Sequence, residues 1–110
     1  MARRLRRGEV YWLQFRSPDK RRPVVILTHD EVLPKLTRIT VAPITSTVRG
    51  VASEVLLNEN DGLDGAVNLH NVMSVVPERL ADRITQLSAA RLREICRALN
   101  FALGCQAPGI

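Results

Sequence analysis

Two short segments of the sequence carry residue types that suit the binding of a phosphate group. Arg21 and Arg22 stand at the start of one predicted strand, and Thr45 and Ser46 stand at the end of another. If these strands pair in antiparallel fashion through the 29–37 connection, Arg22 lies directly beside Thr45. A permanent cation next to hydroxyl groups can hold a phosphate. On spacing alone, an ordinary surface pair is the more frequent explanation of such an arrangement.

A third polar group follows in the segment 66–71. Strand alternation predicts that Asn68 and His70 point outward, with Val67 and Leu69 toward the core. Histidine side chains titrate at about pH 6.5, so His70 can accept or donate a proton near neutral pH. The alternative is a surface histidine that makes one hydrogen bond. His29 lies next to two acidic residues, and a solvated loop histidine is the better interpretation there.

The elements that must position these residues are several short strands and one helix. Ser88 suits a helix N-cap, apolar residues then follow at helical spacing, and Gly104 suits a C-terminal stop. This order predicts a mainly β fold of the α+β class, a small twisted sheet or partly closed barrel with a C-terminal amphipathic helix. The predicted strands cover 9–15, 24–28, 38–44, 53–57, one or two strands in 66–76, and a short one at 83–85.

A length of 110 residues supports one domain. We expect a basic tail at 1–6, the β barrel at 8–87 and the helix at 88–104. No apolar run approaches the roughly 18 residues that a membrane span needs, and no secretory signal is visible, so we expect a cytoplasmic protein. The expected turn at 17–20 joins the first two strands.

The basic residues are concentrated at the N-terminus. The whole chain has a formal net charge of +5, yet its first 22 residues hold eight basic and two acidic side chains. Such a local positive field favours a polyanionic partner, nucleic acid or an acidic protein. A solvated basic tail, including the cluster from Arg3 to Arg7, is an equally good interpretation of the charge alone.

The two cysteines show no metal-binding spacing. Cys96 and Cys105 form no CxxC motif and have no matching histidine pair, so we expect no metal site and no cofactor. Cys96 falls on the apolar face of the predicted helix, where a small buried hydrophobe is the favoured interpretation.

Three ordered motifs give the sequence a specific resemblance. The strings RGEVYWL at 7–13, RRPVVIL at 21–27 and VAPITS at 41–46, with a later Glu54–Val55 strand and the final helix, resemble the MazF/PemK family of toxin endoribonucleases over residues 7–104. Three ordered motifs at family spacing are a much stronger signal than any one of them.

The resemblance implies an SH3-like barrel of the PemK/CcdB type and a toxin of a bacterial toxin–antitoxin system. It implies metal-independent, sequence-specific cleavage of single-stranded RNA, in which the 2′-hydroxyl of the RNA attacks the phosphate. The products would be a 2′,3′-cyclic phosphate and a 5′-hydroxyl. It also implies a homodimer whose shared groove holds RNA and is blocked by an antitoxin with an acidic, disordered tail.

The family pattern places its arginine on Arg22 and its hydroxyl pair on Thr45 and Ser46. Many relatives carry a Gly-His-Glu-Gln-like loop between the first two strands, and the short 16–20 connection here lacks it. Some relatives use an Arg and an Asp two residues apart as acid and base. The matching positions here are Asn68 and His70, which leads to the hypothesis that His70 replaces the acidic base. The catalytic candidates are therefore Arg22, Thr45 and His70, and the substrate-binding candidates are Ser46, Asn68, Arg21 and Asn71.

Two other functions fit the same fold. One is a nucleic-acid-binding module that cuts nothing, which would tolerate loss of Arg22 with only a modest, salt-dependent weakening of binding. The other is a gyrase inhibitor of the CcdB type, a class that acts through C-terminal residues including a tryptophan. The one tryptophan of this chain is Trp12, which disfavours that alternative.

Overall fold

The computed structural model describes residues 4–14 and 20–105, and there the chain forms seven strands followed by one helix. Phe15, most of the expected 17–20 turn, Arg3 and the last five residues lie outside the described ranges. The final strand is longer than the 83–85 segment that the sequence predicted. The elements are β1 (Glu9–Gln14), β2 (Arg21–Ile26), β3 (Ile39–Thr45), β4 (Glu54–Leu57), β5 (Gly65–Asn68), β6 (Met73–Val75), β7 (Leu80–Gln86) and α1 (Ala89–Leu103).

All strand pairs are antiparallel and form one sheet in the order β4-β5-β3-β2-β1-β7, with β6 also pairing with β3. β4 and β7 stand at opposite ends of this order and do not pair, so the sheet is not closed. The predicted fold class, a mainly β fold of this type with a C-terminal helix, is confirmed. The partly closed form that the strand pattern allowed describes the sheet better than a full barrel.

The sheet buries side chains on both of its faces. Val25 and Ala42 belong to a core that α1 covers, whereas their neighbours Val24 and Val41 belong to a second core on the opposite face. Double-sided burial explains why the run from Val24 to Ile26 is continuously apolar, as a strand covered on both faces requires.

The helix begins and ends where the sequence predicted. The Ser88 hydroxyl accepts a hydrogen bond from the Arg91 N–H at 3.1 Å, and Gly104 ends α1 with a φ of +71°. Ile95 and Ala98 are the buried residues of α1. The guanidinium of Arg91 also donates to the carboxylate of Asp61 at 3.0 Å, which ties the helix to the connection before β5.

The expectation for Cys96 is wrong, because its side chain is exposed. The buried stripe of α1 passes through Leu92, Ile95, Leu99 and Ala102, and Cys96 is rotated about 100° from Ile95 around the helix axis. Arg7 lies there instead, with Nη2 2.9 Å from the Cys96 sulfur.

The backbone that precedes β1 is hydrogen-bonded to the body of the protein. The Arg6 N–H donates to Glu9, the Arg7 N–H donates to Asp30 at 2.7 Å, and the Gly8 N–H donates to the Ile26 carbonyl. The described part of the chain includes no helix that is both long and apolar enough to cross a membrane.

Truncation of Ile95 should weaken the packing of α1 against the sheet and thereby lower the stability of the protein. Ile95 is 1% exposed in the core that α1 covers, and an Ile→Ala change at such a position costs about 2–5 kcal/mol through lost burial and the cavity left behind. We expect Ile95→Ala to lower the free energy of unfolding in urea by that amount. Leu103→Ala is the matched control, since Leu103 is 61% exposed, and equal effects of the two changes would contradict the assigned packing.

Candidate active site

The pairing of β2 with β3 follows the register that the sequence predicted. Val24 pairs with Pro43, and the ladder continues toward Val41. Two residues beyond the Val24–Pro43 pair, the same register brings Arg22 opposite Thr45. The ladder itself ends at the Val24–Pro43 pair, and on its other edge β3 continues to Thr45, which pairs with Ala66 of β5. Arg22 and Thr45 therefore lie at neighbouring strand ends on one face of the sheet.

The Arg22 guanidinium is exposed, and within residues 4–14 and 20–105 no hydrogen bond or ion pair is recorded for it. Thr45 is partly buried, and its hydroxyl donates to the Thr47 carbonyl at 3.1 Å. The threonine is thus held by the loop that follows β3, whereas the arginine presents its charge to solvent. This arrangement suits the binding of an anion that arrives from outside.

The loop at 46–52 is anchored by a carboxylate that the sequence did not single out. Glu54 accepts hydrogen bonds from the Gly50 N–H at 2.9 Å and from the Arg49 N–H at 3.1 Å. Burial raises the pKa of Glu54, but the backbone N–H groups of Arg49, Gly50 and Val51 and the nearby charge of His70 outweigh it, and the net pKa is lowered. A glutamate at the first position of β4, after an Arg-Gly turn, is the signal that could have identified this anchor.

His70 lies in a turn and not in a strand. β5 ends at Asn68, and Leu69–Asn71 form a 3-10 helix. The Asn68 side chain caps this helix by accepting a hydrogen bond from the His70 N–H at 3.1 Å. Because the chain turns there, the period-2 alternation does not continue to His70.

The predicted outward orientation of Asn68 is wrong, because the residue is 2% exposed. Its side-chain oxygen is bound to the backbone of the 3-10 helix, so the amide is occupied in holding the turn. The predicted inward orientation of Val67 and Leu69 is confirmed, since both are buried.

The His70 ring has a partner that sequence reasoning missed. Ser53 lies 17 positions earlier, and its hydroxyl oxygen is 2.5 Å from Nδ1 of His70. Ser53 is buried, and its carbonyl accepts a hydrogen bond from the Leu69 N–H at 2.9 Å. No local pattern links the two residues, because they are brought together by the long-range pairing of β4 with β5.

The strand order brings these groups to adjacent strands. Glu54 pairs with Asn68, and two residues earlier on β5 Ala66 pairs with Thr45. Since residues two apart share a face, Glu54, Asn68 and Thr45 lie on one face of the sheet. Ser53 and His70 follow beyond the Glu54–Asn68 pair, at the end of β5 that lies away from Thr45. We call Arg22, Thr45, Ser53, Glu54 and His70 together the strand-end site, which has one part at Arg22 and Thr45 and another at Ser53, Glu54 and His70.

The remaining candidates are exposed but are not all on this face. Ser46 and Asn71 are exposed in the two loops beside the site. Arg21 is exposed on the opposite face from Arg22, and its guanidinium carbon lies 4.7 Å from the centroid of the Trp12 ring. A stacked arginine–tryptophan pair of this kind can serve as a platform for a nucleobase. His29 is exposed and accepts a hydrogen bond from the Glu31 N–H, as expected for a loop histidine.

Acidification should release the 46–52 loop. The folded-state pKa of Glu54 is lowered, so its anchoring is present above the ordinary value of 4.5 and is lost as the pH falls through the folded-state value. We expect the Arg49 and Gly50 amide resonances to titrate together with a midpoint below 4.5. Glu54→Gln should abolish this titration, and Glu59→Gln, a change at an exposed glutamate outside the site, should leave it intact. Amide shifts that follow pH equally in Glu54→Gln would contradict the assignment.

The family model for the PemK-like, MazF-like toxin of type II toxin–antitoxin systems matches residues 6–103. A curated Mycobacterium tuberculosis protein named "Probable endoribonuclease MazF5" is 45% identical over 102 residues, which cover 90% of this chain and 93% of that protein. The solved M. tuberculosis toxin MazF-mt6 is 37% identical, with a TM-score of 0.78 and coverage of 87% and 96% of the two chains.

A mycobacterial endoribonuclease solved in complex with its cognate antitoxin is also similar, with a TM-score of 0.87 and 25% identity. The alignment covers 94% of this chain and 99% of that one. The arrangement of strands and helix is that of a small toxin of the ribonuclease type.

The chain belongs to the PemK/MazF family of toxins from type II toxin–antitoxin systems. The expectation of an endoribonuclease toxin is thereby confirmed, and it is favoured over a non-catalytic binding module and over a gyrase inhibitor.

Proposed function

We propose that the protein cleaves single-stranded RNA at short sequence motifs, with the strand-end site as its catalytic centre. The observation that carries this proposal is the β2–β3 register, which leads to Arg22 opposite Thr45 at an accessible strand end. Family membership supports the reaction class. The 3-10 helix that follows β5 supplies His70, whose imidazole is a side chain able to carry a proton in catalysis.

The proposed reaction needs no metal ion or cofactor. The 2′-oxygen of the RNA attacks the adjacent phosphorus, the bond from phosphorus to the 5′-oxygen breaks, and a 2′,3′-cyclic phosphate and a 5′-hydroxyl are formed. The attacking hydroxyl loses a proton and the leaving oxygen gains one. Negative charge grows on the phosphoryl oxygens during the attack, and a positioned cation stabilises it. DNA has no 2′-hydroxyl and is not a substrate for this chemistry.

Each site residue has a role that follows from its place. Arg22 stabilises the phosphoryl charge, Thr45 with Ser46 binds the phosphate, and His70 exchanges the proton. Arg21 and Asn71 contact the RNA on either side of the scissile bond. Asn68, which is buried, supports the turn of His70 and does not touch the substrate.

The partners that we propose are an antitoxin and a second copy of the chain. A similar mycobacterial endoribonuclease has been solved with its cognate antitoxin, and the exposed arginines at the start of β2, Arg21 and Arg22, would attract an acidic, disordered antitoxin tail. We propose a homodimer whose groove holds the RNA, acting in the cytoplasm, where the RNA targets are.

Removal of the Arg22 guanidinium should abolish most of the cleavage. Loss of one preorganised group that stabilises transition-state charge reduces kcat by about 100- to 1,000-fold. We expect Arg22→Ala to show this loss in an assay that maps the cut ends of a long single-stranded RNA with EDTA present. A DNA of the same sequence, assayed in parallel, should stay uncut. Arg97→Ala is the matched control, because Arg97 is an exposed arginine of α1 outside the site. Wild-type cleavage by Arg22→Ala would refute the proposed centre.

Removal of the His70 imidazole should remove proton transfer. A positioned acid–base group contributes about 100- to 10,000-fold to the rate, so we expect His70→Ala to lower kcat within that range and to flatten the pH dependence of cleavage near neutral pH. His29→Ala, a change at the exposed loop histidine, serves as control. A His70→Ala enzyme with the wild-type rate at every pH would exclude this role.

A further inference from the structure

The hydroxyl of Ser53 lies against the imidazole of His70 in a position that the reaction has not yet used. Ser53 is 6% exposed, and its Oγ is 2.5 Å from Nδ1 of His70, whereas the rest of His70 is exposed. Nδ1 and Nε2 stand on different sides of the imidazole ring. With Nδ1 turned toward the buried serine, Nε2 is the nitrogen that faces solvent.

The backbone around the ring is fixed by the same residues. The Ser53 carbonyl accepts from the Leu69 N–H at 2.9 Å, and the Asn68 side chain accepts from the His70 N–H at 3.1 Å. Together with the side-chain contact, these bonds hold the histidine at both its backbone and its ring. Within the described ranges, the His70 ring is the one recorded hydrogen-bond partner of the Ser53 hydroxyl.

A hydroxyl group suits a ring that must change its protonation state. It accepts a hydrogen bond from Nδ1–H when the ring is protonated, and it accepts the same bond when the ring is neutral with its remaining proton on Nδ1. The bond therefore persists while Nε2 gains and loses a proton. A buried hydroxyl without this partner would cost free energy, which keeps the ring in place.

The nearest acidic group acts differently. Glu54 adjoins Ser53 in the chain, and the charge of His70 is one of the factors that lower its pKa. Its carboxylate oxygens are engaged by the backbone N–H groups of Arg49 and Gly50. The charge of His70 thus acts on Glu54, whereas Ser53 is the group in hydrogen-bond contact with the ring.

We propose that Ser53 is a positioning residue of the RNA cleavage reaction, whose hydroxyl binds Nδ1 of His70 and leaves Nε2 as the ring nitrogen that reaches the RNA. This inference rests on the proposed function insofar as His70 acts on the substrate. The contact itself does not depend on the reaction.

The test combines the NMR spectrum of the histidine ring with kinetics on Ser53→Ala and Ser53→Thr. In wild-type protein with nitrogen-15-labelled histidine, we expect the neutral His70 ring to show one predominant tautomer. In Ser53→Ala we expect averaged Nδ1 and Nε2 shifts, and a kcat that is about 10- to 100-fold lower with KM unchanged, because the ring is misplaced while RNA binding is kept. Ser53→Thr keeps the hydroxyl and should restore both.

Controls make each outcome decisive. Ser74→Ala removes an exposed serine hydroxyl on β6 and should change neither readout. Circular dichroism and the urea midpoint establish that each variant is folded, and the wild-type spectrum tests the contact even if Ser53→Thr fails to fold. A mixture of tautomers in the wild type, or a wild-type spectrum in Ser53→Ala, overturns the inference.

His70→Ala distinguishes failure of this inference from failure of the proposed function. If His70→Ala is inactive and Ser53→Ala has the wild-type kcat, the positioning role of Ser53 is refuted, whereas the proposed catalytic centre is supported. If His70→Ala keeps the wild-type rate, the catalytic role of His70 falls and the positioning role with it, whatever the ring spectrum shows.

Discussion

The pairing of one edge of β3 with two strands at different registers is the constraint on which the site depends. Ile44 pairs with Val67, and Val41 pairs with Met73. Between these pairs β3 covers three residues, whereas the segment from Val67 to Met73 that pairs with it covers six. The extra length cannot stay in the ladder, and it forms the 3-10 helix Leu69–Asn71. The histidine is therefore placed by a register mismatch on a strand that is itself buried.

Burial of β3 on both faces makes that mismatch rigid. A strand that packs on both faces has no freedom to slip, because a shift of one residue would exchange the side chains of two closely packed cores of different shape. The polar groups at the turn are correspondingly satisfied: Asn68 and Ser53 are buried, and both bind the turn through hydrogen bonds. An unsatisfied buried polar group would cost about 1–3 kcal/mol, so the turn and its two supports are stable only together.

The sequence predicted the parts of the fold that depend on local pattern. The helix from its Ser88 cap to its Gly104 stop and the register of β2 on β3 both follow from residues close together in the chain. The error at Asn68, the last residue of β5, arose because its side chain turns to cap the 3-10 helix and is buried there, whereas strand alternation alone predicts a solvent-facing side chain. The contact between Ser53 and His70 joins residues 17 positions apart, and the contact between Arg7 and Cys96 joins residues 89 positions apart. Neither is encoded in a local pattern.

The division of the strand-end site into two parts has a chemical consequence. Arg22 is carried by a strand held in the sheet, whereas Thr45 leads into the 46–52 loop, which Glu54 anchors, and His70 depends on Ser53. In the proposed reaction the nucleophile belongs to the RNA, so the protein need supply only a positive charge, hydroxyl groups and a proton carrier in fixed positions. Strand ends and two hydrogen-bonded turns can hold these groups, so an open sheet with one covering helix is a sufficient scaffold for the proposed reaction. In the proposed reaction, the supporting residues Ser53 and Glu54 would therefore affect the rate as well as the groups that touch the phosphate.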